Sequence, residues 1–222
     1  MSELTLFFYE DGSSDPYNRV NWPSGRPHLQ ALLAADEKLA PVNTSFIITN
    51  TPPGYRVYFV SYSPWAYEHE NMKESLKSMG VLYEERVETL GETTVGFFRR
   101  HKVDRMAHHI FSSTDRREVV RSVFDSYTSW ESGWPFFFFI ARDEPAGWKE
   151  LVGILSRGEA CPADLILKSH CIMRTVEDHG IMISSIDITK EEVRETAANL
   201  ARELSMYLTV RRFVVDNSKE GG

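Results

Sequence analysis

At 222 residues, with 42% hydrophobic and 26% charged residues, the chain lies far from the compositions that stay disordered. A chain of this length can bury roughly 70% of the surface its unfolded form exposes. Its two cysteines, Cys161 and Cys171, exclude a disulfide framework and match neither a C-x-x-C redox pair nor a zinc knuckle, while a net charge of −7 argues against general polyanion binding.

In chain order, Leu4 to Tyr9 reads as a strand ending in the acidic stretch Glu10, Asp11 and Asp15. A Pro-, Gly- and Ser-rich loop follows, then a helix from near Pro27 to Pro41 with Leu29, Leu32, Leu33 and Leu39 along one side. Phe46 to Thr49 and Tyr55 to Tyr62 read as a hairpin around Asn50-Thr51-Pro52-Pro53-Gly54. Ser63 and Pro64 then start a helix with Trp65, His69, Met72, Leu76 and Met79 on one face. Val81 to Leu90 and Thr93 to Arg99 form a second expected hairpin, and 103–130 reads as helical, with Val119, Val120, Val123, Phe124 and Tyr127 as its stripe.

Ser132-Gly133-Trp134-Pro135 breaks this pattern, so the expected division is an N-terminal α+β half, 1–132, that includes the basic helical segment 103–130, and a C-terminal half, 133–222. The second half begins with Phe136 to Ala141, continues with a helix from Pro145 to Ser156, and then has strands over Asp164 to Val176 and Gly180 to Ile188. Thr189 and Glu192 spell a capping box, Val193, Ala197, Leu200, Ala201, Leu204 and Leu208 form a core stripe, and Thr209 to Val215 closes the half as a strand. The fold class expected is α+β, with two consecutive ferredoxin-like (βαββαβ) halves and mostly antiparallel sheets, the first half carrying an extra strand and a helical insert.

The segment from Arg99 to Arg121 has seven basic and three acidic residues in an otherwise acidic molecule. Arg99, Arg100, Arg105, His109, Arg116, Arg117 and Arg121 are its candidate anion- or ligand-binding residues, because guanidinium forks match oxyanions. Adjacent His108 and His109 would point about 100° apart on a helix, which disfavours joint chelation, and no metal site or cofactor is expected. On the strand from Asp164, alternation puts Lys168, His170 and Arg174 on an exposed polar face. Trp130 and Trp134 flank a Gly-containing loop and are candidates for a partner surface.

No G-x-G-x-x-G, Walker lysine loop or G-x-S-x-G elbow is present. The longest apolar run, Phe136 to Ala141, falls far short of the roughly 20 residues of a membrane span, and no basic leader opens the sequence, so a cytoplasmic protein with no membrane role is expected. The first functional reading is a non-enzymatic binding or regulatory protein of inhibitor, immunity or adaptor type, acting through a protein partner, with a homodimer as the expected assembly. The alternative is a protein or enzyme that binds a small or phosphorylated ligand through the Arg- and His-rich 99–121 segment. The third is nucleic-acid binding through the same segment, which the overall charge disfavours without excluding.

Overall fold

In the computed structural model, which describes residues 2–9, 29–36, 39–63, 65–95, 101–126, 136–156, 162–176 and 180–213, the chain is a mixed α+β protein built on one nine-stranded sheet. Its first elements are β1 (Glu3–Tyr9), β2 (Leu29–Ala35), α1 (Leu39–Thr49), β3 (Arg56–Ser63), a 3-10 turn (Ala66–His69), α2 (Glu70–Ser78), β4 (Tyr83–Val95), β5 (His101–Thr114) and α3 (Arg117–Ser126). β6 (Phe136–Ala141), α4 (Leu151–Ser156), α5 (Ala163–Lys168), β7 (Cys171–Val176), β8 (Gly180–Ser185), α6 (Lys190–Glu203) and β9 (Tyr207–Phe213) complete it.

The strand order is β4-β5-β3-β6-β7-β8-β2-β1-β9, antiparallel at every pairing except β1 with β9. The sheet runs without a break across residue 132, since β3 pairs with β6, while β1 and β2 sit between β8 and β9. The ferredoxin-like pairing expected of 136–216 does not form. A split βαβ unit interleaves its own strands, whereas β6, β7 and β8 follow one another as a meander and β9 leaves them to pair with β1.

The central strands are apolar on both sides and need two covering layers. On one side, Val42, Phe46 and Ile47 of α1, Met72 and Leu76 of α2, Val119, Val120 and Val123 of α3, and Val193, Ala197 and Leu200 of α6 pack over Phe59, Phe136, Phe138, Met173 and Ile183. On the other, Trp148, Leu151, Val152 and Leu165 cover Tyr58, Val60, Phe111, Phe137 and Phe139.

Three expected elements change type. Within the helix expected from Pro27 to Pro41, Leu29–Ala35 is instead β2, whose residues are buried on both faces and therefore carry no period that separates strand from buried helix. The strand expected over Phe46 to Thr49 is the end of α1. Pro41 falls in the first turn of this helix, where its missing N–H breaks no helical bond, and tertiary packing of Phe46 and Ile47 outweighs the modest cost of β-branched residues. The helical segment expected over 103–130 divides: 101–114 is β5, and among the described residues of the segment Arg117–Ser126 is helical, 127–130 lying outside them. Ala107, His109 and Phe111 alternate with His108 and Ile110 across β5, a two-residue period that the sheet reads in place of the helical one.

Two smaller differences follow the same logic. The hairpin expected around Gly91-Glu92 is one long strand, β4, whose pairing with β5 shifts register between Thr89 and Glu92 in the manner of a β-bulge. The expected strand from Asp164 begins only at Cys171, after α5, and Arg174 is buried, so the exposed basic face does not exist. The capping box of α6 is present as read, with Glu192 N donating to Thr189 Oγ1 and Thr189 N donating to Glu192.

Gly180 opens β8 at φ +147°, and a Cβ built on it would lie 1.9 Å from the Leu33 carbonyl oxygen of β2. Gly180→Ala therefore forces both left-handed backbone strain and separation of two central strands, with an expected loss of about 2–4 kcal/mol in urea unfolding. Thr189→Ala, which removes only the cap, is expected to cost about 1 kcal/mol. Equal effects of the two substitutions would contradict this account of the β8–β2 contact.

Candidate anion-binding site

At one end of the sheet the chain turns three times within a short distance. After α1, the Asn50 side-chain amide donates to the Phe46 carbonyl at 2.8 Å and the Thr51 hydroxyl to the Ile47 carbonyl at 2.7 Å, which satisfies two of the helix's last acceptors. Pro52-Pro53-Gly54 then reverses the chain, with Gly54 in the left-handed region at φ +82° and Tyr55 N donating to the Pro52 carbonyl. Arg56 begins β3. Its guanidinium donates to the Ser113 carbonyl and hydroxyl at 3.4 Å and lies 3.7 Å from Asp115.

The second turn joins β5 to α3, where Thr114 Oγ1 accepts a hydrogen bond from Arg116 N at 3.0 Å. Arg116 donates through Nε to Glu118 and through Nη1 to the Met79 carbonyl, and this pairing holds the Glu118 carboxyl below the usual carboxylate range. Arg117, the first residue of α3, is exposed, and among the described residues no hydrogen bond or ion pair engages it. The third turn follows β6. There Arg142 lies with its guanidinium 5.1 Å from the centre of the Tyr55 ring, a cation–π contact.

These turns enclose a cavity of about 570 Å³. Arg56, Arg116, Arg117 and Arg142 line it with a single carboxylate, Asp115, while Ile48, Val57 and Val120 supply apolar wall and Tyr55 an aromatic one. Guanidinium groups stay charged at any physiological pH, so the described lining carries an excess of three positive charges in a molecule of net charge −7. Beyond Tyr55, the His170 ring lies 5.4 Å from it, centre to centre, and His170 Nδ1 is 3.5 Å from Asp187. The Ser185 hydroxyl fixes that neighbouring turn by accepting from Asp187 N and Ile188 N.

The pocket brings together two of the residues singled out in the sequence, Arg116 and Arg117. Arg121 stands one turn further along α3, exposed. His109 is elsewhere, 2% exposed in β5 between Tyr62 and Phe111, so it belongs to the core beside the sheet and does not meet the arginines. Arg105 lies on β5, with its side chain outside the described residues. Arg99, Arg100, Trp130 and Trp134, like the acidic stretch at Glu10, Asp11 and Asp15, also fall outside them. Arg56, Arg142 and Tyr55 were not anticipated. The signal was present, since each arginine stands at the end of an apolar strand next to Gly- or Pro-containing turns, but only the strand pairing brings those ends together.

Two histidines form a separate buried cluster. His69 shares a 2.9 Å hydrogen bond with Ser61 Oγ, and because Ser61 is fully buried the pair joins the 3-10 turn to β3 and offers no accessible nucleophile. Burial, with Lys73 and then His108 and His109 adding repulsion, pushes His69 down to about 4. Burial, with Arg86 and His108 adding repulsion, does the same to His109. Glu88 sits 3.5 Å from His109 Nε2, a distance that would favour the charged ring, yet its carboxylate is partly solvated and does not offset the burial. Among the described residues, no group of three or more His, Cys, Asp or Glu is placed to hold a metal ion.

Comparison with protein-family models, with curated proteins and with solved structures finds no match to the chain. The site is therefore read from its own chemistry.

The buried histidines give a pH dependence of defined sign. Both bind protons near pH 4 when folded and near pH 6.5 when unfolded, so the unfolded chain takes up more protons between these values. Stability is then complete above about pH 6.5 and lost as pH falls toward about 4, by up to about 3 kcal/mol for each ring. His109→Phe, which keeps an aromatic ring between Tyr62 and Phe111, should reduce the difference between urea unfolding at about pH 7 and about pH 5, leaving the part due to His69. The same pH difference in wild type and variant would contradict the assignment.

Proposed function

We propose that the chain is a non-enzymatic binding protein whose ligand is a small organic molecule bearing a phosphate or comparable anion, held in the arginine-lined pocket. The observation that carries this reading is that four arginines from three turns line one cavity of about 570 Å³. A cavity of that size is in the range that takes a whole small molecule. The apolar walls at Ile48, Val57 and Val120 suit an organic body, and the guanidinium forks suit its anionic group. α3 also begins at the pocket wall, and its positive end favours negative charge there.

A binding role is favoured over catalysis by what lines the site. Asp115, the carboxylate among the described lining residues, faces Arg56, and His170 is set behind Tyr55. A concave pocket also fits a compact ligand better than the flat, extended face that a nucleic-acid backbone follows. Regulation through a protein partner is the second reading. Trp65 and Tyr67 favour it, being 55% and 70% exposed and stacked 6.3 Å apart at the β3–α2 turn, an ordered aromatic surface of the kind that anchors interfaces.

Isothermal titration with AMP and with inorganic phosphate tests the first reading. Binding should weaken as salt rises, and Arg117→Gln or Arg142→Gln should each reduce affinity about tenfold or more, the usual scale for loss of a charge-assisted hydrogen bond. Absence of binding to both probes, or binding indifferent to both substitutions, would remove it.

A further inference from the structure

Arg121 is the one anion-binding candidate with a described side chain that points to solvent and yet does not line the cavity. It follows Arg117 by four residues on α3, so the two stand one helical turn apart, about 6 Å along the axis and about 40° around it. Between them on the pocket side is Val120, which is 4% exposed and forms part of the cavity wall. The next residue along the core face is Val123, also buried. The apolar stripe of α3 thus faces inward, and Arg117 and Arg121 both stand off it, exposed, with Arg117 at the cavity and Arg121 one turn beyond it. Among the described residues neither is engaged by a hydrogen bond or an ion pair, in contrast to Arg56 and Arg116, whose guanidinium groups are held by Ser113, Asp115, Glu118 and the Met79 carbonyl.

Of the five arginines, two are therefore braced against the protein, Arg142 lies over the Tyr55 ring, and Arg117 and Arg121 stand exposed one helical turn apart. We propose, on the reading of the pocket as an anion site, that its ligand carries two separated anionic groups, as a bisphosphorylated compound does. One group sits in the cavity against Arg117 and Arg142, and the other lies outside the mouth against Arg121. A single anion would leave Arg121 with no role in the site, whereas a second group about one helical turn away meets it without any movement of α3.

The test compares AMP with an adenosine bisphosphate whose phosphates are on opposite sides of the ribose, by isothermal titration against wild type, Arg117→Gln and Arg121→Gln. Wild type should prefer the bisphosphate about tenfold or more, the scale of one additional charge-assisted contact. In Arg121→Gln that preference should fall to near parity, while in Arg117→Gln both ligands should weaken. Thermal melting of each variant checks that the fold is kept, which is expected for exposed positions. A bisphosphate preference that survives Arg121→Gln, or no preference in wild type, overturns this inference and leaves the reading of the pocket intact. Failure of wild type to bind either compound overturns both.

Discussion

The structure depends on a strand that has no solvent side. Phe136 to Ala141 of β6 are all within 1% of full burial, and its neighbours β3 and β7, with β8 next beyond β7, are nearly as enclosed. Such a strand can exist only if every backbone group is paired laterally and both faces are covered. The first requirement fixes β3 and β7 as its neighbours. The second requires two layers from a chain of modest length, and these are supplied unequally: four helices on one side, and Trp148 with short helical segments on the other. Fully burying each of these large side chains is worth roughly 1.5–3 kcal/mol, which is why the centre of the sheet tolerates so little polar surface.

Polar groups are consequently displaced to the ends of the strands. Arg56 stands at the first position of β3 and Arg142 immediately after β6, where the backbone leaves the apolar layers. Because β3 and β6 are antiparallel, the start of one lies beside the end of the other, and β5, antiparallel to β3, brings Thr114 and Asp115 to the same edge. The pocket thus follows from strand directions: three turns must share one end of the sheet, and each carries arginine. Of the polar side chains that remain inside, Ser61 and His69 are tied together and His109 is kept neutral by burial, whereas the Asn43 amide is buried without a hydrogen-bond partner among the described residues.

How much of this could be read in the sequence varied with the kind of signal. α6 was legible because its capping box and apolar stripe are local, although Leu208, read as the end of that stripe, lies in β9, and β6 and β9 were legible from their β-branched and aromatic composition. β2 and α1 exchanged types because Leu29 to Ala35 are buried on both faces and Phe46 is followed by the β-branched Ile47, Ile48 and Thr49, and only contact with the rest of the core decides such cases. β5 was hidden by its charges, which follow neither period cleanly. The same holds at the site. Arg116 and Arg117 were recognisable from local charge density, whereas Arg56 and Arg142, 86 positions apart in numbering, become a pair only through the β3–β6 register.

The parallel contact of β1 with β9 has a temporal side. Leu4 lies opposite Leu208, and β2 on the other flank of β1 needs β8 for its own outer edge. As the chain is synthesised at roughly 5–20 residues per second, Leu4, Leu6 and Phe8 wait on the order of ten seconds or more before the strands that enclose them exist. During that interval an apolar strand with open edges is available to any other chain nearby. Enclosure of β1 therefore waits on β8 and β9, and agents that shield nascent apolar segments would act on Leu4, Leu6 and Phe8.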